Sequence, residues 1–421
     1  MADSENDQLT GVMGRSGFLQ RLDRAAAGFQ RGDPPAALVV DLDDFTTVND
    51  VLGYVVGDRI LVAVAALLRD AVREGDLVGR LGGDQFAVLA PGIAVPDLEE
   101  LAERLQVALA SPVEADGRPI SARASIGVAH GAPGDTGGDL LSKADMALRA
   151  AKDRGRGRPA HYESGLKRRF LDQAALLDGL HEAVEGGQLE LVYQPIVRLG
   201  EGGLTGLEAL ARWQHPTRGP IMPGDFIPIA ERSGLIVPLG RWMLAEACRQ
   251  QEADWPETYV NVSAHQLREP GFADEVARAV TAPERLIIEV TEDALAEETV
   301  LDTLRAVRAQ GVRVSLDDFG AGRGSLPALA AAPIDVIKLH GSMTEQIISS
   351  PRPAAVARAV AAVADELGIV AIAKAVESAA QAERLHELGY RQGMGFHYAV
   401  PQPARAIPLF LADEALLTMM S

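Results

Sequence analysis

The chain has 421 residues, 47% of them hydrophobic and 24% charged, and its formal net charge is −19. This length suits two domains, and the composition is that of a globular protein. The negative charge argues against broad binding of nucleic acid or anionic membranes, because it would repel their phosphate groups. The single cysteine, Cys248, excludes an intrachain disulfide and suits a reducing cytoplasm. We expect neither a signal peptide nor a membrane span, because the N-terminus MADSENDQ is polar and no run of about 18 apolar residues occurs.

The first half of the chain alternates strand-like and helical segments. Short apolar runs predict strands, whereas apolar residues spaced by three and four predict helices. Together they predict an α/β sandwich over residues 1–163 that contains one antiparallel hairpin. In chain order the segments are a strand ALVVDLDDF, a helix DRILVAVAALLRDAV, the hairpin DLVGRLGGDQFAVLA, a helix DLEELAERLQVALA, a strand RPISARASIGVA and a closing helix DLLSKADMALRAAKDRG.

A stretch rich in glycine and charge, DRGRGRPAHYESGLKRR at residues 153–169, separates the two halves. We interpret it as the end of the first domain near Glu163, followed by a linker over residues 164–188. The linker contains a predicted helix from Leu166 to Glu185, because its apolar residues recur at helical spacing. The basic residues are interpreted as a solvated linker and helix cap, because no aromatic residues are interleaved with them as in nucleic-acid binders.

The second half, residues 189–421, contains eight short apolar strands, most of them separated by helical stretches. Eight β/α units over this length predict a TIM-like (β/α)8 barrel, whose chemistry lies at the C-terminal ends of the strands. The strands are LVYQPIV, GLEALARW, YVNVS, LIIEVTE, VRVSLDD, VIKL, IVAIAKAV and GMGFHYAV. Polar residues stand near the ends of most of them and predict a functional pocket: Glu208, Arg212, Asn261, Glu289, Asp317, Asp318, Lys338 and Lys374.

These residues belong to motifs that resemble EAL domains, which hydrolyse the bacterial messenger cyclic di-GMP. The resemblance covers nearly all of residues 189–405 and includes LEALARW, VYQPIV, PGDFIPIAERSGLI, NVSAHQL, IEVTE, SLDDFGAG, DVIKL and VESAAQ in order. The family's chemistry implies hydrolysis assisted by two divalent cations, Mg²⁺ or Mn²⁺, that bind oxygen ligands.

The resemblance implies a role for each matching residue of the barrel. Glu208, Asn261, Glu289 and Asp317 would bind one metal ion, and Asp317 with Asp318 the second. Lys338 would lie beside the attacking water and the phosphate. The remaining implied residues are Gln194 and Arg212 as ligand contacts, Glu292 as a support for the loop after the Asp pair, and Glu377 as an acceptor behind the site.

One departure from the family pattern affects catalysis directly. The family's AEGVE reads AKAVE here, so Lys374 stands where a glutamate would act as general base. A protonated lysine cannot accept a proton, and at 4 Å from a dication it costs on the order of 8 kcal/mol at a dielectric near 20. We expect Lys374 to pair with Asp317 and Asp318 and to replace the second cation. The alternative is a side chain that extends into solvent.

Three further departures surround the same pocket. The family's QGY reads MGF, which places Met394 where a glutamine is usual; Arg323 replaces an aromatic residue, and His340 replaces an acid. With Lys374, these changes add positive charge or remove negative charge around the carboxylates. The alternatives are an exposed loop position for Arg323 and a purely structural replacement at His340.

The first half, from residue 7 to about residue 162, resembles GGDEF domains, which condense two GTP molecules into cyclic di-GMP. The motifs are DLDDFTTVNDVLGYVVGD, GGDQF, SIGVA and KADMALRAAKDRGRGR. The resemblance implies that Gly82 and Gly83 let the backbone approach the nucleotide. It also implies Asp41 and Asp84 as metal ligands, Asn49 and Asp58 as guanine contacts, and Lys152 as a triphosphate contact.

This half also departs from its family. Gln85 replaces a metal-binding carboxylate with a neutral amide, Thr46 stands where a lysine contacts phosphate, and Tyr54 where a histidine is usual. Phosphoryl transfer needs metal ions and cations to neutralise developing charge. We therefore expect cyclase activity to be absent or feeble. GTP binding stays open, because most of the implied guanine contacts remain.

The segment REGD at residues 73–76 lies five residues before Gly82, a spacing that resembles the family's product-inhibition motif RxxD. Arg73 and Asp76 would then recognise guanine or phosphate. The alternative is a solvated helix end.

The sequence thus predicts a tandem GGDEF–EAL protein of cyclic di-GMP signalling with changed motifs in both halves. The first interpretation is a receptor or regulator that binds cyclic di-GMP. One alternative is a working phosphodiesterase in which Glu377 or Asp318 supplies the base, and another is a protein scaffold that binds no nucleotide. A homodimer through the barrel is implied by the family resemblance alone.

Overall fold

The chain folds as two units, residues 1–172 and 173–421, in the computed structural model. The structure describes residues 5–29, 32–115, 118–120, 123–153, 155–320, 329 and 332–412. A helix from Leu166 to Gly186 spans the boundary between the units, as the apolar spacing predicts.

The first unit is built on a six-stranded sheet with the order β1-β3-β4-β2-β7-β8. Its strands are β1 Met13–Gly14, β2 Ala36–Leu42, β3 Leu77–Gly82, β4 Gln85–Ala90, β7 Ala124–His130 and β8 Ala160–His161, and β5 Val113–Ala115 with β6 Arg118–Ile120 forms a separate pair. The helices are α1 Arg15–Gly28, α2 Phe45–Leu52, α3 Tyr54–Ala71, α4 Val95–Ala110 and α5 Gly137–Asp153, followed by α6 Leu166–Gly186.

Strand β2 lies at the centre of this sheet, and each of its residues is buried. Its alternating side chains enter two different cores because successive residues of a strand point to opposite faces. Leu38 and Val40 pack with residues of α3 and α4 on one face. Ala37 and Val39 pack with residues of α1 and α5 on the other. The α/β sandwich and the antiparallel β3–β4 hairpin are therefore confirmed.

The second unit contains a closed eight-stranded barrel. Its strands are β9 Leu189–Arg198, β10 Leu204–His215, β12 Glu257–Asn261, β13 Leu286–Thr291, β14 Arg313–Phe319, β15 Val336–Leu339, β16 Val370–Ala373 and β17 Gln392–Gly393. Two short strands, β11 Gly219–Ile221 and β18 Gln402–Pro403, pair with β10 and β9. The predicted TIM-like barrel is therefore present.

Two details of the predicted barrel are wrong. Strand β9 is antiparallel to both of its ring neighbours, β10 and β17, because residues 199–203 form a turn that is too short for a helical crossover. The predicted final strand GMGFHYAV contributes only its start to β17, and its remainder leaves the sheet. The other ring neighbours are parallel, so the C-terminal ends of β10 and of β12 to β17 meet on one face.

The helices of the second unit cover the outside of the barrel. They are α7 Pro223–Ser233, α8 Ile236–Gln250, α9 Ala264–Arg268, α10 Phe272–Ala279, α11 Glu298–Arg308, α12 Gly341–Glu345, α13 Pro351–Glu366, α14 Ala379–Glu387 and α15 Ile407–Ala412, with 3₁₀ turns at Pro283–Arg285, Glu292–Ala296 and Ala404–Ala406. Inside the barrel, a separate apolar layer supports the polar residues: Ile196, Tyr259, Ile287, Val336, Ile372 and Met394. Across the described ranges, we find no helix long and apolar enough to cross a membrane.

Gly127 allows β7 and α5 to pack in direct contact. A Cβ atom at this position would lie 2.1 Å from the backbone nitrogen of Leu148. We expect Gly127→Ala to destabilise the first unit by about 2 kcal/mol or more, because backbone atoms cannot move aside. Far-UV circular dichroism during urea unfolding would show an earlier transition. All three tryptophans belong to the second unit, so the fluorescence transition would report the barrel separately.

The matched control is Gly28→Ala, at a position where the described residues leave open space around an added Cβ. Equal unfolding midpoints for Gly127→Ala and the unaltered chain would contradict the close packing of β7 on α5.

Candidate functional site

A β-bulge at the end of β14 brings two neighbouring carboxylates to one side. The register with β15 shifts between Leu316 and Phe319, and Asp318 has a left-handed φ of +55°. In a regular strand, consecutive side chains point to opposite faces, whereas a bulge redirects one of them. Asp317 and Asp318 can therefore both reach one cation.

Lys374 provides that cation from the end of β16. Its Nζ lies 2.9 Å from each carboxylate oxygen of Asp317 and 2.8 Å from Oδ1 of Asp318. Burial alone would lower the pKa of Lys374, but the charges of Asp317 and Glu208 outweigh it and raise the pKa above its ordinary value. The amine therefore stays protonated and has no lone pair with which to accept a proton.

A second ammonium lies deeper in the barrel. Lys338 is fully buried; its Nζ lies 2.7 Å from Oε2 of Glu208 and also contacts Oε1 of Glu289. Burial raises the pKa of Glu289, and the charge of Lys338 opposes that shift. Burial lowers the pKa of Lys338, but the charges of Glu208, Glu289 and Asp317 raise it by more. The pKa of Lys338 therefore lies above its ordinary value. Two ammonium groups thus share the four carboxylates of Glu208, Glu289, Asp317 and Asp318.

The oxygen donors implied for one divalent ion remain at the barrel mouth. The carboxylates of Glu208, Glu289 and Asp317 are buried, and Nδ2 of Asn261 donates to Oε1 of Glu208 over 3.4 Å. Oε2 of Glu289 has no hydrogen-bond partner among the described residues, so this oxygen is available as a metal ligand. The donor atoms are of the kind that a divalent ion prefers, but the ammonium of Lys338 already pairs with Glu208 and Glu289. The second site does not fit an ion, because the Lys374 amine stands between its carboxylates.

Over the part of the chain that the structure describes, no three acidic, histidine or cysteine side chains are grouped closely enough to hold a metal ion. The two lysines intervene between the carboxylates that would have to converge.

A cavity of about 410 Å³ opens beside these ion pairs. One wall is apolar and includes Phe396, whose residue surface is 56% exposed. Arg212 also lines the cavity; burial lowers its pKa, and the charge of Glu190 opposes that shift. The cavity is lined by Gln194, Glu208, Leu210, Arg212, Asp318, His340, Gly341, Lys374, Ala375, Glu377, Met394, Gly395, Phe396 and Pro401.

Phe396 was not singled out in the sequence analysis. The available signal was its position in the GMGF stretch, where it follows Met394 by two residues.

Hydrogen bonds to the backbone hold the segments of Glu377 and Gln194, which line this cavity, and the start of the loop after the Asp pair. The side chain of Gln381 accepts hydrogen bonds from the backbone N–H groups of Glu377 and Ser378 and so fixes the segment that carries Glu377. Glu292 accepts from the backbone N–H of Gly320, 3.3 Å away, as expected of a support for that loop. Gln194 donates to the backbone oxygen of Ala399.

Of the two remaining departures from the family pattern, the structure describes His340 but not Arg323. Nδ1 of His340 accepts from the backbone N–H of Ser342 at 3.2 Å and caps the short helix α12, which favours a structural role. Arg323 lies outside the described residues.

The first unit has a related cluster at the tip of the β3–β4 hairpin. Asp41 is buried, and its Oδ1 lies 2.5 Å from Nζ of Lys152. Gln85 stands opposite Asp41 in the register of β2 with β4, and its Nε2 donates to Oδ2 of Asp41 over 3.0 Å. Burial and the charge of Asp41 raise the pKa of Asp84. Gly83 turns the hairpin with a φ of +55°.

Arg156 completes this cluster, although its segment was interpreted as a solvated linker. Its Nη1 lies 2.8 Å from both carboxylate oxygens of Asp44, and its Nε lies 3.8 Å from Oδ1 of Asp43. Arg156 and Asp44 both have left-handed backbones, with φ of +61° and +57°. The glycines on either side of Arg156 were the only sequence signal for such a turn.

The residues implied to contact guanine lie on the α2–α3 corner. The side-chain oxygen of Asn49 is buried without a hydrogen-bond partner among the described residues. A Cβ at Gly57 would lie 1.9 Å from that oxygen, so an alanine at this position would force the side chain of Asn49 to move. Asp58, Thr46 and Tyr54 are exposed.

Arg73 and Asp76, the two charged residues of the RxxD segment, pair with each other. Nε of Arg73 donates to Oδ1 of Asp76 over 3.1 Å, and the guanidinium also contacts the backbone oxygen of Gly92. The Asp76 side chain is only 1% exposed, so a ligand would have to displace this contact.

The chain thus combines an α/β sandwich with a barrel that carries carboxylates at its mouth. Residues 178–401 match the EAL domain family, and residues 4–158 match the family described as diguanylate cyclase, GGDEF domain. The chain belongs to the EAL domain family and carries a GGDEF domain before it.

Characterised and uncharacterised proteins share this arrangement. The chain is 38% identical over 420 residues to the bifunctional diguanylate cyclase/cyclic di-GMP phosphodiesterase MucR of Pseudomonas aeruginosa, covering 96% of this chain and 61% of MucR. It is 34% identical over 419 residues to the cyclic di-GMP phosphodiesterase PdeR of Escherichia coli K12, covering 96% of this chain and 62% of PdeR. The chain spans about half to three fifths of the first curated relatives it matches.

Two solved structures resemble parts or most of the chain. The structure titled as the PaMucR phosphodiesterase in complex with c-di-GMP is 38% identical, covers 55% of this chain and 99% of its own, and has a TM-score of 0.53. The Vibrio cholerae LapD S helix-GGDEF-EAL structure, bound to c-di-GMP, is 17% identical with a TM-score of 0.64 and covers 93% of this chain and 95% of its own. At that identity, LapD supports the fold alone.

Ala375 carries backbone strain next to Lys374, since its φ is +56°. A left-handed conformation costs an alanine about 1 kcal/mol. We expect Ala375→Gly to stabilise the barrel by up to about that amount, measured as a later urea transition in tryptophan fluorescence. Ala371→Gly, in the extended strand β16, is the control and should destabilise. A lower stability for Ala375→Gly would contradict the strained backbone.

Gln85→Glu tests the carboxylate cluster of the first unit. A glutamate would face Asp41 across the hairpin, so we expect Mg²⁺ to raise the far-UV unfolding midpoint of the variant more than that of the unaltered chain. Gln20→Glu, an exposed position on α1, is the control. The same Mg²⁺ response in all three proteins would count against a metal role for position 85.

Proposed function

We propose that this GGDEF–EAL protein acts in cyclic di-GMP signalling as a receptor or regulator, and that its barrel binds the messenger without hydrolysing it. The observation that carries the proposal is the placement of the Lys374 ammonium on Asp317 and Asp318. The relatives named as cyclic di-GMP enzymes and the c-di-GMP complex of the MucR barrel support the choice of ligand.

Charge balance supports retention of binding. In the family pattern, the glutamate carries one negative charge and its divalent cation two positive charges, which together give a net charge of +1. The single ammonium of Lys374 supplies the same net charge. The net charge around the cavity is thereby kept, and attraction for a dianionic ligand depends on that charge. Arg212 adds a guanidinium at the cavity wall, suited to a phosphate oxygen.

Proton transfer supports the loss of hydrolysis. A general base must accept a proton from the attacking water within hydrogen-bond reach. Lys374 occupies the place of that base, and its raised pKa keeps it protonated at neutral pH. Its charge also opposes a second dication, which would otherwise help to activate the water.

A second candidate is an active phosphodiesterase that uses another carboxylate as base. Glu377 and Asp318 line the same cavity, and this observation favours them over more distant acids. The relatives named as phosphodiesterases, MucR and PdeR, fit this candidate as well.

For the first unit, we propose GTP binding without cyclisation. Asn49 and Asp58 remain for guanine, whereas Gln85 weakens the metal site and donates to Asp41. A homodimer through the barrel and a cytoplasmic location also remain proposals.

Calorimetry with cyclic di-GMP, with and without EDTA, tests the receptor proposal. We expect binding of the unaltered chain in both conditions, because the lysines replace metal charge. Chromatography after incubation with Mg²⁺ or Mn²⁺ should reveal no linear dinucleotide. Prompt hydrolysis of cyclic di-GMP would establish the chain as a phosphodiesterase instead. Absence of cyclic di-GMP binding both with and without EDTA would establish it as a protein scaffold.

Lys374→Glu, alone and with Met394→Gln, tests the charge replacement. We expect the variants to gain Mn²⁺ affinity by at least tenfold, because a repulsive charge becomes a ligand. Lys167→Glu makes the same charge change at an exposed residue and should leave Mn²⁺ binding unaltered. If Lys374→Glu and Lys167→Glu bind Mn²⁺ alike, the replacement idea is wrong.

A further inference from the structure

Tyr259 lies inside the barrel in contact with the buried ammonium of Lys338. The Nζ atom is 4.8 Å from the centroid of the Tyr259 ring, and both side chains are almost fully buried. We propose that Tyr259 is a positioning residue that holds Lys338 on Glu208 and Glu289 and thereby closes the remaining metal site to divalent ions.

The contacts of the ammonium are complementary. The amine donates to Oε2 of Glu208 and forms an ion pair with Oε1 of Glu289. The ring of Tyr259 contacts the same ammonium, and the face of an aromatic ring attracts a cation electrostatically. Tyr259 therefore supplies a contact that an aliphatic residue in the same layer would not.

The ring itself is held from two sides. The hydroxyl of Tyr259 donates to Oε2 of Glu257 over 3.3 Å, and Glu257 in turn pairs with Arg313. On the neighbouring strand, a Cβ atom at Gly206 would lie only 2.7 Å from Cε2 of the tyrosine. The ring thus depends on a glycine beside it and an anchored hydroxyl at its end.

The consequence concerns the first metal site. The carboxylates of Glu208 and Glu289 are the ones implied to bind an ion, and Lys338 already neutralises them. An entering dication would have to displace the ammonium toward the apolar layer that contains Ile287 and Ile372, where a charge loses its solvation. With Lys374 on the other carboxylates, both cation positions are then filled by the chain itself. This inference rests on the proposed function, in which Glu208 also lines the ligand cavity.

Titration with Mn²⁺ alone, followed by electron paramagnetic resonance, tests the inference on the full chain. We expect Tyr259→Leu to raise Mn²⁺ affinity about tenfold over the unaltered chain at one site, a change within the range of cation–π contact energies. Tyr259→Phe keeps the ring and should bind Mn²⁺ with an affinity close to that of the unaltered chain. Val336→Ala creates a cavity in the same apolar layer and should not change Mn²⁺ binding.

Gly206→Ala provides a second variant if Tyr259→Leu fails to fold, because its added methyl displaces the ring without removing it. Tryptophan fluorescence checks the barrel in each case. The inference is overturned if both Tyr259→Leu and Gly206→Ala bind Mn²⁺ like the unaltered chain, or if Val336→Ala gains as much as they do. If the unaltered chain does not bind cyclic di-GMP, the proposed function is refuted. The Mn²⁺ comparison among the variants would still test this inference.

Discussion

The ion pair of Lys374 with Asp317 and Asp318 is the interaction on which the account of the barrel depends. Buried or partly buried charges persist only when opposite charges compensate them. In this site, the compensation comes from the end of β16, which is separated from β14 by β15, so the assembly of the barrel also fixes the charge balance of its mouth. The bulge at Asp318 is needed as well, since without it only one of the two carboxylates could face the amine.

The lysines of this chain occupy an unusual set of positions. The sequence contains 5 lysines against 35 arginines. An ammonium is a compact point charge with three rotatable donors, whereas a guanidinium is planar and pairs best with one carboxylate through two parallel bonds, so a lysine suits a position between converging carboxylates. Four of the five lysines pair with acids within the folded units: Lys143 with Asp135, Lys152 with Asp41, Lys338 with Glu208 and Glu289, and Lys374 with Asp317 and Asp318. Both units thus neutralise carboxylates at their predicted sites internally.

Much of the fold and the ion pair of Lys374 could be predicted from the sequence. Periodicity identified the hairpin and most barrel strands, and the motif order placed Lys374 opposite the Asp pair. Strand direction could not be predicted, because an apolar strand reads the same in either orientation, and β9 is antiparallel. Tyr259 reads as an ordinary core residue, and its contact with Lys338 depends on the closure of the barrel, because β12 and β15 are not adjacent strands. Arg156 reads as solvated because its pairing with Asp44 depends on a left-handed turn.

The most direct test of the central claim is anomalous diffraction from crystals grown with cyclic di-GMP and Mn²⁺. We expect the ligand in the cavity, the Lys374 amine within hydrogen-bond distance of Asp317 and Asp318, and no anomalous peak between those carboxylates. Two adjacent Mn²⁺ peaks at the barrel mouth, with the amine turned away from both aspartates, would contradict it.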